Sequence, residues 1–289
     1  MNFETLTLGN METARPFLGR ALYRSCDFTV GGMFLWRHVW QPEFAVEDGI
    51  FYSRLRDRDG TVYYNLPLGD NVAKGVARLR DLCATNGEPL RFCTVPADAL
   101  DLFPGARVTA HRELADYLYY IDDLITLRGK KYGGQRNHVN FFTRAYPDAT
   151  MEEITPANLA EVRAFFAAHG APQDSRSARD DYAATADLLR DPAAYGMRGY
   201  ALRAGGRIVG FSFGEVVGDT LFAHVEKADR AVRGAHQALM SRFAAAMRAP
   251  DTLYINREDD AGDEGLRTAK LALHPCALIE KYTVEMPPM

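Results

Sequence analysis

Thr220-Leu221-Phe222-Ala223-His224-Val225-Glu226-Lys227, then Ala228-Asp229-Arg230-Ala231-Val232-Arg233-Gly234, and later Thr252-Leu253-Tyr254-Ile255-Asn256-Arg257-Glu258-Asp259-Asp260 carry the fold in their changes of period. The first run is apolar through its first half and polar only at its C-terminal end, as a largely buried parallel strand reads. From Gly234 the spacing lengthens. Ala235, Leu239, Phe243 and Met247 recur every four residues on one helical face, and Pro250 marks the stop. Thr252–Ile255 then reads as the return strand of a right-handed βαβ crossover. The polar clusters after the two strands therefore fall side by side. In open α/β sheets ligands bind outside the carboxyl ends of strands, so Glu226, Asn256, Arg257 and Glu258 are the first candidates for function.

Before this segment, Met151–Ile154 is a strand, and Thr155-Pro156 caps a helix running through Leu159, Val162 and Phe166 to His169-Gly170. A polar loop from Gln173 to Ser177 leads into a helix through Tyr182, Ala186 and Leu189. Met197–Leu202 and Ile208–Glu215 read as strands separated by Gly205-Gly206. The tail Ala277–Glu285 reads as one more strand of this half.

The first half is a separate α/β unit. Ile50–Leu55 and Thr61–Leu66 flank Asp59-Gly60 as a hairpin. Asn71 opens a helix closed by Asn86-Gly87. Leu90–Val95 is a strand, Ala97–Phe103 a short helix and Tyr117–Ile121 another strand. The clustered Trp36 and Trp40 read as a core anchor; with Arg37 they are also the elements of an anion pocket, since Arg stacks on indole. The expected limits are 1–125 for the first domain, 126–148 for a basic linker helix and 149–289 for the second domain.

The linker concentrates Arg128, Lys130, Lys131, Arg136, His138 and Arg144 with no acid between residues 126 and 146. A solvated helix is one reading. The other is a phosphate site built from Lys130, Lys131, Arg136, Asn137 and His138, for a nucleotide, a lipid head group or an RNA backbone. Gly133-Gly134 would weaken a helix interior by about 1 kcal/mol each, so the helix is expected to break there or begin after them.

The 289 residues are 47% hydrophobic and carry a formal net charge of −4, enough chain for two ordinary domains and no chain-wide positive field to recruit nucleic acid or a membrane, so any such contact, with DNA not expected, must come from a local patch. Cys26, Cys83, Cys93 and Cys276 are scattered, without metal-ligand spacing, as thiols of a reducing compartment are. There is no secretory leader pattern and no apolar run long enough for a transmembrane segment, so a soluble cytoplasmic protein is expected. No metal motif, Ser-His-Asp pattern, P-loop or dinucleotide fingerprint appears.

The order helix, helix, antiparallel strands, central strand, turn, helix, strand, helix, strand resembles the GNAT acyltransferase fold. Arg128-Gly129-Lys130-Lys131 with Gln135-Arg136-Asn137-His138, His224-Val225-Glu226-Lys227-Ala228, Gly234-Ala235, and Asn256 through Gly262 to Lys270 resemble a bacterial family related to the C-terminal domain of phosphatidylglycerol lysyltransferases. The resemblance covers about residues 20–285. It implies two tandem GNAT-like domains of the α/β (α+β) class, with mixed central sheets flanked by helices and the first domain degenerate. It also implies transfer of an acyl or aminoacyl group to an amine or hydroxyl acceptor, a small molecule or lipid. One departure matters. Acetyltransferases of this fold hold the coenzyme A pyrophosphate on a glycine-rich turn at a helix N-terminus, and here Arg233 takes the place of a glycine in Arg230-Ala231-Val232-Arg233-Gly234-Ala235. Arg230, Arg233 and Gly234 remain an expected anion site.

Acyl transfer needs a base, oxyanion donors and often an acid. Glu226 and Glu258 are the candidates for base or amine recognition, His224 a third, and Tyr282 a proton donor. Arg257 with Glu258 or Asp259 reads equally as an ion pair fixing the loop, and Lys270 as a partner of one of these acids. Three functions stay open: an aminoacyl transferase drawing on charged tRNA, a coenzyme A-dependent N-acyltransferase with an acyl-CoA donor, and a non-catalytic module binding a small ligand.

Overall fold

The computed structural model describes residues 1–20, 23–168 and 175–287. His169, Gly170 and Gln173, where a helix end and a loop were expected, lie outside the described residues. In chain order the strands are β1 (Glu4–Thr5), β2 (Glu43–Glu47), β3 (Ile50–Arg56), β4 (Val62–Tyr64), β5 (Arg91–Pro96), β6 (Arg107–Ala110), β7 (Asp116–Tyr120), β8 (Thr150–Glu153), β9 (Arg198–Ala204), β10 (Arg207–Val217), β11 (Thr220–Ala228), β12 (Tyr254–Asn256), β13 (Ala277–Ile279) and β14 (Lys281–Glu285). They form two mixed, seven-stranded sheets: β1-β2-β3-β4-β5-β14-β6 and β13-β7-β12-β11-β10-β9-β8.

The chain divides into two compact units, residues 1–116 with 259–262 and 279–289, and residues 117–258 with 263–278. The expected limits at 125 and 149 do not fall on this division. Two strands account for the difference. Tyr117–Tyr120, read as closing the first domain, pairs with β12 in the second sheet, Tyr254↔Tyr120 to Asn256↔Leu118. The tail expected as one strand is two: β13 stays in the second sheet, while β14 lies between β5 and β6 in the first. Counted from its own first strand, each unit then has the same order, its fifth and sixth strands held apart by a strand from elsewhere in the chain. In each, the fourth and fifth of these strands pair in parallel, β4 with β5 and β11 with β12. The two units thus repeat one strand topology.

Local signals act as read. Asn71 accepts the Lys74 amide at the start of the helix Val72–Asn86, and Gly87 ends it at φ 67°. In the second unit, Leu239, Phe243 and Met247 of the helix Ala235–Met247 are buried, Phe243 and Met247 in one core with Tyr119, Leu221, Ala223 and Ile255, and Leu239 in a second with Leu202 and Val209. Phe211 sits against Phe165 and Phe166, which cover the other face. The tryptophan pair does not form the expected core anchor: Trp36 is half-buried and Trp40 is 37% exposed.

The first unit holds a buried charge that the sequence did not advertise. Lys281 opens β14 with its ammonium 2.7 Å from Asp27, 2.7 Å from Asp116 and 3.4 Å from the Cys26 sulfur. Cys26, Asp27 and Asp116 are spaced as three metal ligands could be, and the lysine supplies the cation they surround. Burial alone would lower the Lys281 pKa; the two aspartates outweigh it and raise it well above its ordinary value. Lys281→Met should leave the buried Asp116, with Asp27 beside it, without a counter-charge and destabilise the protein by about 3–5 kcal/mol. Denaturant unfolding checks this, and a midpoint close to wild type would show the lysine to be dispensable.

Candidate functional site

β11 and β12 run side by side only from Thr220↔Tyr254 to Phe222↔Asn256. Beyond that register β11 continues to Ala228 along β10, while the chain leaves β12 through Arg257 and Glu258. The pairing of β10 with β11 also slips here. Gly214 faces Ala223 and Phe213 faces Val225, so His224 is an extra residue without a cross-strand partner. Such a bulge re-aims the side chains that follow. The parting strands and the bulge together place His224, Glu226, Arg257 and Glu258 at one end of the second sheet.

These four side chains form two buried pairs. Arg257 donates to Glu226 Oε2 from Nε at 2.7 Å and from Nη2 at 2.6 Å, with side-chain exposures of 5% and 11%. The sequence had offered Glu258 or Asp259 as the partner of Arg257; the structure pairs it with Glu226 instead. Burial would raise the Glu226 pKa, but Arg257, helped by His236 and Lys270, holds it below the ordinary carboxylate value. His224 lies between Glu258 Oε1 at 2.7 Å from Nδ1 and Glu215 Oε1 at 3.0 Å from Nε2, with none of its side chain exposed. A buried imidazole would ordinarily be neutral. Two carboxylates reverse that and carry its pKa to about 9.

The loop after β12 is held from below. Asn256, fully buried, accepts the Glu258 amide at 2.7 Å and supports Glu258 at φ 56°, a left-handed conformation uncommon for a non-glycine residue. Lys270, on the helix Glu264–Leu271, donates from Nζ to the Arg257 and Glu258 carbonyls at 2.6 and 3.1 Å. The Tyr119 hydroxyl in turn donates to the Lys270 carbonyl at 2.9 Å. Lys270 is thus a main-chain brace where an ion pair had been expected. Asp259 accepts the Ala261 amide at 2.9 Å and turns the chain onward.

Other expected site residues are placed differently. Tyr282 belongs to the first sheet, between Val95 and Ala110, with its hydroxyl on Glu280 at 2.7 Å. Arg37, also in the first unit, donates to the Phe34 carbonyl at 2.8 Å, while Trp36 accepts the Val39 and Trp40 amides. In the basic junction the helix Gly133–Ala145 begins at the glycines themselves, where a first turn tolerates them. Lys131 pairs with Asp123 at 3.3 Å, and Arg136 donates to the Leu127 and Gly129 carbonyls. Lys130 and Asn137 are exposed. Arg230 and Arg233 are exposed as well, Arg233 with its guanidinium 4.4 Å from the Phe141 ring centre. Gly234, at φ 83°, has no room for a side chain: a Cβ would lie 2.3 Å from the His138 carbonyl oxygen. Its missing side chain lets the helices starting at Gly133 and Ala235 approach each other.

Two residues of this end do not stand out as functional candidates from the sequence. Glu215 closes the His224 pair from β10, and only the register of β10 against β11 identifies it. His236 lies in the first turn of the helix Ala235–Met247, where its position two residues past Gly234 was the available signal. The charged His224 yields a signed expectation. Because its pKa is raised from 6.5 to about 9, its stabilising contribution is complete below pH 6.5 and lost as pH rises through 9. Thermal melts from pH 7 to 10 should show wild type losing a few kcal/mol more than His224→Gln; parallel curves would remove the charged imidazole from the account.

The model of the family described as phosphatidylglycerol lysyltransferase, C-terminal, matches residues 20–285. A conserved protein of Bacteroides thetaiotaomicron is 30% identical, with 99% of this chain and 100% of that chain superposed at a TM-score of 0.90. The structure of L-PGS from Bacillus licheniformis covers 95% of this chain and 91% of its own at a TM-score of 0.68 and 16% identity, a likeness of fold. An uncharacterized protein of Mycoplasmoides gallisepticum is 26% identical over 181 residues, 61% of this chain; the match spans 58% of that relative's length. With its family model matched over nearly all of its length, the chain belongs to the phosphatidylglycerol lysyltransferase C-terminal family.

Proposed function

We propose that the second unit transfers an aminoacyl group, drawn from a charged tRNA, to a hydroxyl or amine acceptor at the end of the sheet where β11 and β12 part. The parting carries this reading. It leaves the main chain of β11 beyond Phe222 without a strand on the β12 side, where amides can meet the oxyanion of a tetrahedral intermediate, and it gathers a buried, hydrogen-bonded set of charges around that opening. Preorganised dipoles in a dry site are the usual largest source of acyl-transfer catalysis. The Glu226 and Arg257 pair and the His224 pairs favour fixed positions over exchange of protons, so in this reading they shape the opening and orient an acceptor amine or hydroxyl. The lysyl group and the phosphatidylglycerol named by the family are the first donor and acceptor to try.

The basic junction supports a nucleic-acid donor. Arg128, Lys130 and Arg144 are exposed, and the close packing at Gly234 brings the exposed Arg230 and Arg233 beside the same helix. A coenzyme A donor is the second reading, supported by the crossover layout. Two observations weigh against it: Arg233 lies on Phe141, and the close approach offered by Gly234 is taken by the His138 carbonyl. The first puts a long side chain where a close backbone approach favours glycine, and the second fills the space beside Gly234 that such an approach would use.

The experiment supplies the full chain with tRNA carrying labelled lysine and with phosphatidylglycerol vesicles. Label should pass into the lipid phase, and tRNA retention on the protein should fall steeply with salt, as phosphate contacts require. Charge reversal, Lys130→Glu, should weaken retention further. Failure to retain charged tRNA at low salt, together with a rise in melting temperature with acetyl-CoA, would move the donor to coenzyme A. A ligand at a hundredfold excess over its Kd adds about 2.7 kcal/mol, which such a melt detects.

A further inference from the structure

We propose that His236 is the proton acceptor of this site, an inference that rests on the transferase reading above. The carboxylates, His224 and Lys270 at this end of the second sheet are each committed to a partner. Glu226 is held by Arg257, His224 by Glu215 and Glu258, and Lys270 by two carbonyls. His236 is not: among the described residues no hydrogen bond or ion pair engages its ring, and it is exposed in the first turn of the helix that follows β11. A general base must present a free lone pair to its substrate, and an exposed, unpartnered imidazole does so.

Its charge state agrees with its position. The charged groups around it are Glu226 from β11, Arg257 from the loop after β12 and Arg230 from the turn before its own helix. The protein packed around the ring lowers the His236 pKa, Glu226 opposes, and the two arginines add to the lowering. Exposure limits how far that can go. The net direction keeps the imidazole neutral at neutral pH, while its neighbour His224 is charged. The sequence offers Glu226, Glu258 and His224 for the base; in this assignment His236 takes that role.

The step balances without further reagents. As the acceptor oxygen or nitrogen forms its bond to the aminoacyl carbonyl carbon, its proton passes to the His236 ring nitrogen. The tetrahedral intermediate then breaks the ester bond to the tRNA ribose. The departing oxygen takes the proton back from the imidazolium, and the site returns to its starting charge.

The test uses the full chain with lysyl-tRNA and phosphatidylglycerol vesicles. His236→Ala, at an exposed position, should change stability by no more than about 0.5 kcal/mol. It should lower kcat about 10²- to 10⁴-fold with little change in KM, and it should abolish the acid limb of the kcat/KM profile. Added free imidazole should restore part of the rate. Wild-type transfer with an equally active His236→Ala, or an acid limb that survives the substitution, would overturn the assignment while leaving the transferase reading intact. A wild-type chain that transfers nothing would overturn that reading and the assignment with it.

Discussion

Burial of charge at the end of β11 is the constraint on which the second unit depends. A carboxylate removed from water is tolerated only when a cation and further hydrogen bonds replace its hydration. Glu226 meets that condition through Arg257, and the condition then spreads. Arg257 must leave β12 at a fixed angle, Glu258 must turn left-handed to reach His224, and Lys270 must hold the carbonyls that the turn exposes. The parting of two strands and the packing of a helix thirteen residues further on are consequences of one pairing. They hold this end of the sheet together through hydrogen bonds within the protein itself.

Much of this organisation is legible in the sequence for a simple reason: it is local. Caps, turns and helical periods depend on neighbours within a few residues, so Asn71, Gly87 and the Leu239-Phe243-Met247 face read correctly. The placement of polar residues after β11 and β12 reads correctly too, because a βαβ crossover fixes where strand ends fall. What does not read is pairing between distant segments. Nothing in Asp116-Tyr117-Leu118-Tyr119-Tyr120 distinguishes one sheet from the other, since a largely buried, aromatic-rich strand reads the same in either. The same limit separates the two candidate partners of Arg257: Glu258 is adjacent in sequence, while Glu226 is adjacent only after the sheet forms.

The histidines show how a residue type misleads without its surroundings. His224, two residues before Glu226 in the same strand, draws attention as a catalytic candidate, yet two carboxylates hold it as a cation. His236, in an unremarked helical turn, keeps its lone pair. Identity of side chain gives the range of chemistry available, and the partners choose within it. In the first unit Lys281 makes the same point with the opposite sign: a residue type usually found at the surface becomes the cation between Asp27 and Asp116.

The exchange of strands has a consequence for synthesis. Domains emerging from the ribosome usually fold in the order in which they are made. Here the gap between β5 and β6 is filled by Lys281–Glu285, which is translated only after the whole of the second unit. Asp27 and Asp116 wait just as long for their counter-ion. The unit begun first is therefore completed last, and in a growing chain its β5 and β6 edges and its paired acids stay exposed to chaperones and proteases until the final strand arrives.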